Sequence, residues 1–189
     1  MTSQNTDTSP AAPTRYAMPV RLLHWIAAVM IIATIPIGNT MLREGLARST
    51  QDLLFIVHKN GGVIIFLLVV LRILWRVMTP APPMPAHMPG WQVTAAKAAH
   101  WALYGMLLVM TISGYVRVRA GGFPVEMLDA LGLPSFIPRS DSLAETAQSI
   151  HTTGRFVLVA LILLHVGATV QHAIKRDGIF GRIWPPLGR

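Results

Sequence analysis

Four long apolar stretches alternate with short polar or proline-rich ones along the chain, at residues 22–42, 53–78, 98–116 and 150–174. They are too long for core strands and, at ~20 residues, suited to crossing a bilayer as helices. The pattern predicts an all-α fold, an integral membrane four-helix bundle over residues 15–176. Arg21 stands at the mouth of the first span with His24 and Trp25 one turn inside, and Pro36 and Gly38 in its far half predict a kink. Arg72, Trp75 and Arg76 close the second span as interfacial residues do, and Lys97 leads the third, with His100 and Trp101 one turn in. The connector Thr79–Gly90 is rich in proline and non-helical, and its His87 is expected in solvent. The longest loop, Arg117–Ser149, passes Gly and Pro breaks before a polar helical lead, DSLAETAQS, into the fourth span. Residues 1–14 are expected to be a disordered tail and 177–189 a C-terminal tail. No signal-peptide pattern opens the chain, so the first span is expected to remain as an anchor.

The fourth span carries His151, His165 and His172, where a lipid-facing helix carries none. At 3.6 residues per turn and ~1.5 Å rise they share one stripe, and His151 and His165 lie roughly 21 Å apart, one toward each membrane face. A lone imidazole in a membrane is satisfied by a neighbouring helix. A matched pair at two depths points instead to a ligand at each.

The chain is weakly self-similar. Arg21–Trp25 and Lys97–Trp101 share basic-x-x-His-Trp, each with a glycine fourteen residues after the histidine, Gly38 and Gly114. His58 and His151 each open His-x-x-Gly at the start of the returning helix. The repeat then breaks, because Arg72 stands fourteen residues after His58 but His165 stands fourteen after His151. By depth, His58 and His151 face each other near the outer surface, while His24, His100, His165 and His172 share the inner half. Two axial imidazoles on one iron porphyrin leave no open position and suit electron transfer.

Composition sharpens this. The chain is 52% hydrophobic and only 13% charged, about half the charged fraction of a soluble domain. The net charge of +8 raises the question of nucleic acid, but the positives cluster at helix ends and suit membrane lipid, so no nucleic-acid partner is expected. Cysteine is absent, so any haem is held without thioether bonds. Four spans put both termini on one side, which holds nine of the basic residues against seven and predicts cytoplasmic termini.

His24 in the first span, His58 in the second, and His151 and His165 fourteen apart in the fourth make the chain resemble the bacterial cytochrome b561 family. That group extends to the membrane b-type cytochromes of hydrogenases and formate dehydrogenases. The resemblance covers Arg15 to the region of Lys175. It implies two haem b groups, the outer one ligated by His58 and His151 and the inner one by His24 and His165. The repeat alone leaves His100 open as the partner of His24. It also implies a bacterial inner-membrane protein passing electrons between an outside donor or acceptor and a quinone near the inner haem. Some stand-alone members oxidise superoxide and reduce ubiquinone, and the lack of an extra helix or soluble domain favours that type, a superoxide:ubiquinone oxidoreductase.

On this reading Lys59, Arg117, Arg119 and Arg155 surround the outer haem and steer a small anion such as superoxide. Arg155 and Arg21 are also placed to meet haem propionates. His100, His172 and Arg21 form the expected quinone pocket, where imidazoles hydrogen-bond a carbonyl and deliver protons. Two other classes compete: an electron carrier docked on a partner dehydrogenase, and a haem-free, histidine-lined metal or proton transporter.

Overall fold

The computed structural model describes residues 14–79 and 81–187, and the tail expected over residues 1–14 lies, apart from Thr14, outside them. Helices α1 (Met18–Thr40), α2 (Arg48–Met78), α3 (Gly90–Ala120) and α5 (Asp141–Lys175) are each long and apolar enough to cross a membrane, and a short α4 (Glu126–Ala130) lies between the last two. The described residues form no strand. The all-α membrane bundle expected from the apolar pattern is therefore what the chain forms.

Local chemistry sets the helix ends. Pro19 opens α1, where its missing N–H is no loss. Thr79 is extended because it precedes a proline, and α2 stops there. Ser140 caps α5 by accepting from the Leu143 N–H, with Asp141 in the first turn. Arg176 ends α5 in the left-handed region at φ 52°. The helices overrun the apolar stretches, α3 beginning at Gly90 instead of Ala98. Backbone hydrogen bonding continues past the apolar limits because helical geometry needs no hydrocarbon.

Within the bundle α1 packs on α2, α2 on α3, and α3 most extensively on α5. Ile65, Val69 and Tyr104 form the buried core, with Met30, Ile31, Ile73, Leu107 and Leu108 around it, so α1, α2 and α3 meet near mid-length. Gly154 lets α5 close on Met106 and Met110 of α3. Many large apolar side chains, such as Val29, Phe156 and Leu164, point outward, as lipid-facing residues do. Nowhere does α5 come within 8 Å of α1 or α2 between Cα atoms. A seam bridged only by side chains runs the length of the bundle there.

The closing segment, expected as a tail, folds back. It forms a 3₁₀ turn at Phe180–Arg182. Buried Arg182 donates to the Pro82 and Pro83 carbonyls at 2.5 and 2.9 Å, and its own carbonyl accepts from the Tyr16 N–H at 3.1 Å. Trp25 Nε1 donates to the Ile183 carbonyl at 3.1 Å. The residues before α1, those of the 3₁₀ turn and the α2–α3 connector are thus tied together on one face of the bundle. His87 in that connector is exposed, as expected.

Candidate haem-binding site

Helix α5 contributes a histidine at each end of the seam. The His58 ring of α2 lies 6.2 Å from the His151 ring, centroid to centroid, and the His24 ring of α1 lies 6.3 Å from that of His165. Imidazole nitrogens bind a first-row metal at about 2.0 Å, and the ring centre lies about 1.1 Å behind the nitrogen, so two rings facing across one metal stand about 6.2 Å apart. Both pairs have that spacing. His100 of α3 approaches His165 more closely, at 5.5 Å, and the rings of all three pairs are steeply inclined to each other, at 81°, 64° and 69°.

Glycines clear the space that the outer rings occupy. A Cβ on Gly38 of α1 would stand 2.7 Å from His58 Cε1, and one on Gly114 of α3 would stand 3.1 Å from His151 Cε1. These are the two glycines that follow His24 and His100 by fourteen residues. The repeat in the sequence is thereby a repeat in space: each hairpin lays the histidine of its second helix over the glycine of its first.

The orientation of His151 is fixed. Its Nδ1 lies 2.9 Å from the Met110 carbonyl and 3.3 Å from Ser113 Oγ. A carbonyl only accepts, so Nδ1 carries the proton and Nε2 keeps the lone pair that a metal needs. His58 Nδ1 is buried without a hydrogen bond of good geometry, leaning toward the Thr34 backbone.

The outer cations are not one patch. Lys59 Nζ pairs with Glu126 at 2.6 Å and donates to the Pro124 carbonyl, while Asn60 bonds both Glu126 and the Met127 N–H. Arg119 pairs with Asp129 at 2.5 Å. Burial alone would raise the Glu126 carboxyl, but Lys59 and Asn60 hold it below the usual carboxylate range. Arg119 does the same to Asp129. Helix α4 therefore withdraws two of the expected cations, for a reason invisible in sequence: its carboxylates are far from Lys59 along the chain. Arg155 donates to Asn39 across the seam at 2.8 Å and has no ion-pair partner among the described residues. Arg117 is half-buried, within electrostatic reach of both outer imidazoles, and has no ion-pair partner among the described residues.

At the other end, His172 Nδ1 lies 2.6 Å from Asp177. Burial pushes the Asp177 carboxyl up, and the hydrogen bonds from His172 and the Ile179 N–H outweigh it and bring it below its ordinary value. Arg21 is buried and donates to the Pro185 carbonyl at 2.8 Å, so the closing segment takes at least part of the fork expected to meet a propionate. Sequence reading missed Arg72, which lies within electrostatic reach of His24, His100 and His165. It had been read as an interfacial anchor, and its place at the break of the repeat was the signal.

Paired imidazoles at metal-spanning distance, a free Nε2 on His151, and a seam where backbones stay apart fit a flat iron porphyrin. Among the described residues no three His, Cys, Asp or Glu side chains are placed to hold a lone metal ion. A family model described as prokaryotic cytochrome b561 matches residues 15–186. Cytochrome b561 homolog 2 of Escherichia coli strain K12 is 29% identical over 177 residues, 90% of this chain and 92% of its own length. Cytochrome b561 homolog 1 of the same strain is 24% identical over 172 residues, 90% and 97% of the two chains. A Yersinia pestis protein named "Probable superoxide oxidase CybB" is 26% identical over 166 residues, 86% and 92%. A match that starts just before α1 and ends beyond the 3₁₀ turn takes in every span and every paired histidine, and the chain belongs to the prokaryotic cytochrome b561 family of membrane electron-transfer proteins, which implies b-type haem.

Proposed function

We propose that the protein holds two haem b groups, the outer one between His58 and His151 and the inner one between His24 and His165, and moves electrons from superoxide to ubiquinone. The observation that carries this reading is the pair of imidazole spacings, 6.2 and 6.3 Å, set fourteen residues apart on α5. His58 with His151 and His24 with His165 would hold the haem groups, which would supply one-electron transfer. The 29%, 24% and 26% identical relatives support electron transfer, and the name of the last supports the donor.

In this reading the α5 face with His151 is periplasmic, and the termini lie in the cytoplasm of a bacterium, across its inner membrane. Arg117 and Arg155 attract the anionic donor, because Glu126 and Asp129 have taken up Lys59 and Arg119. Two superoxide ions give up one electron each and leave as dioxygen. One ubiquinone takes the two electrons with two protons from the cytoplasmic side. His100 and His172 face that side, where an imidazole N–H can donate to a quinone carbonyl, and Asp177 orients His172.

The test is rapid mixing of superoxide with purified protein that shows a b-type spectrum with two haems per chain. Arg117→Gln is expected to slow haem reduction several-fold and flatten its salt dependence, with dithionite reduction still complete. Should wild type react with superoxide no faster than that variant, the donor assignment falls. The second reading, a carrier between a partner dehydrogenase and quinone, would then stand, favoured by the plain cytochrome names of the two Escherichia coli relatives.

A further inference from the structure

Arg72 marks the break in the repeat, following His58 by fourteen residues as His165 follows His151. Its guanidinium donates to Tyr104 Oη at 3.4 Å and lies 5.9 Å from the centre of that ring. Tyr104 is itself buried with Ile65 and Val69, so the core holds the arginine head from one side. Arg72 is half-buried against that core, and a cation held there in a membrane helix is retained where an anion meets it. Among the described residues Arg72 has no carboxylate partner. Asp177, the described acid on the same face of the bundle, is paired with His172. The remaining described acids, Glu44, Asp52, Glu126, Asp129, Asp141 and Glu145, belong to the opposite face.

The porphyrin of haem b brings two carboxylates of its own. We propose that Arg72, steadied by Tyr104, pairs with a propionate of the inner haem and raises that site's affinity for an electron. The inference rests on inner ligation by His24 and His165. A planar fork suits a carboxylate, and a fixed positive charge favours the form of the iron that carries one charge fewer. Arg76, one turn on in the last turn of α2, makes no such contact with Tyr104 and reaches His100 alone of the inner imidazoles. The other anion of like chemistry is a phospholipid phosphate reaching Arg72 from outside the bundle.

Redox titration of the haem-loaded protein distinguishes these. Wild type, Arg72→Gln, Arg72→Lys and Arg76→Gln are titrated in nanodiscs of zwitterionic lipid alone and with added anionic lipid. A His151→Ala background, carrying the inner site only, identifies its component. Arg72→Gln is expected to weaken electron binding at the inner site about tenfold, ~59 mV for one electron, with the outer component unmoved. Arg72→Lys should recover more than half of that shift, because the charge survives and the fork does not. Arg76→Gln and lipid charge should leave the inner component in place. An inner potential unchanged in Arg72→Gln, or one in wild type that follows the anionic lipid, overturns the inference. If His24→Ala and His165→Ala both leave the haem content of wild type intact, the inner ligation itself is wrong and this inference falls with it. An unmoved potential in a chain with two haems removes only the role of Arg72.

Discussion

In the hairpin α1–α2, His58 lies over Gly38; in the hairpin α3–α5, His151 lies over Gly114. The two rings then face each other across the seam, so the outer site is built from equivalent positions. Continued inward, the same equivalence would pair His24 with His100. Instead α5 carries His165 where α2 carries Arg72, and the His165 ring lies 6.3 Å from that of His24 and 5.5 Å from that of His100. In the proposed ligation one hairpin would supply a metal ligand at both depths, and the other a ligand on each of its two helices. The substitution of Arg for His also leaves His100 without a counterpart and introduces a half-buried charge. Repetition is enough to build a symmetric site, and a single departure from it separates the roles of the two membrane faces.

The largest test of this comparison removes ligands. His151→Ala and His165→Ala together should abolish haem binding, since α5 serves both sites, whereas His24→Ala or His58→Ala should each leave one haem. Haem per chain, measured as the pyridine adduct, reports the outcome, and two haems retained in either single variant would break the pairing. Next come the glycines. Gly38→Ala brings a methyl to 2.7 Å from the His58 ring, which has no flexible end to give way, and should destabilise the outer site by about 1–3 kcal/mol. Gly114→Ala, at 3.1 Å, should have a smaller effect, and thermal loss of the haem absorption band ranks the two. If Gly114→Ala proves the more damaging, the two hairpins are not carrying their rings alike.

Gly154→Ala is expected to matter less still. Its methyl would meet Met106 Cε and Met110 Sδ at 2.8 and 2.9 Å, and these unbranched side chains can move aside. A melting shift larger than that of Gly38→Ala would show that helix contact, not ring clearance, limits the bundle. The smallest effect concerns α4, which only the second hairpin carries. Glu126 has a folded pKa below its ordinary value, so its pairing with Lys59 stabilises above the usual carboxylate pKa and is lost as pH falls through the folded one. For a partly exposed pair this amounts to about 1 kcal/mol or less. Hydrogen exchange in residues 124–131 should rise on acidification and already be raised at neutral pH in Glu126→Gln, with the spans unaffected.

What the sequence determined by itself was the periodic and the local: four apolar stretches, proline and glycine at their ends, and two imidazoles on one stripe of α5. These follow from rise per residue and solvent transfer, which need no knowledge of neighbours. The self-similarity was also legible, although its meaning, a ring laid over a glycine, needed two helices side by side. Tertiary structure alone decided which charges are free. Glu126 claims Lys59 across 67 residues, Asp129 claims Arg119, and Pro185 draws on Arg21 from the far end of the chain. It also decided that the closing segment folds under the bundle instead of trailing as a tail. Charges act over distances in space, and the folded path, not the order of residues, sets those distances.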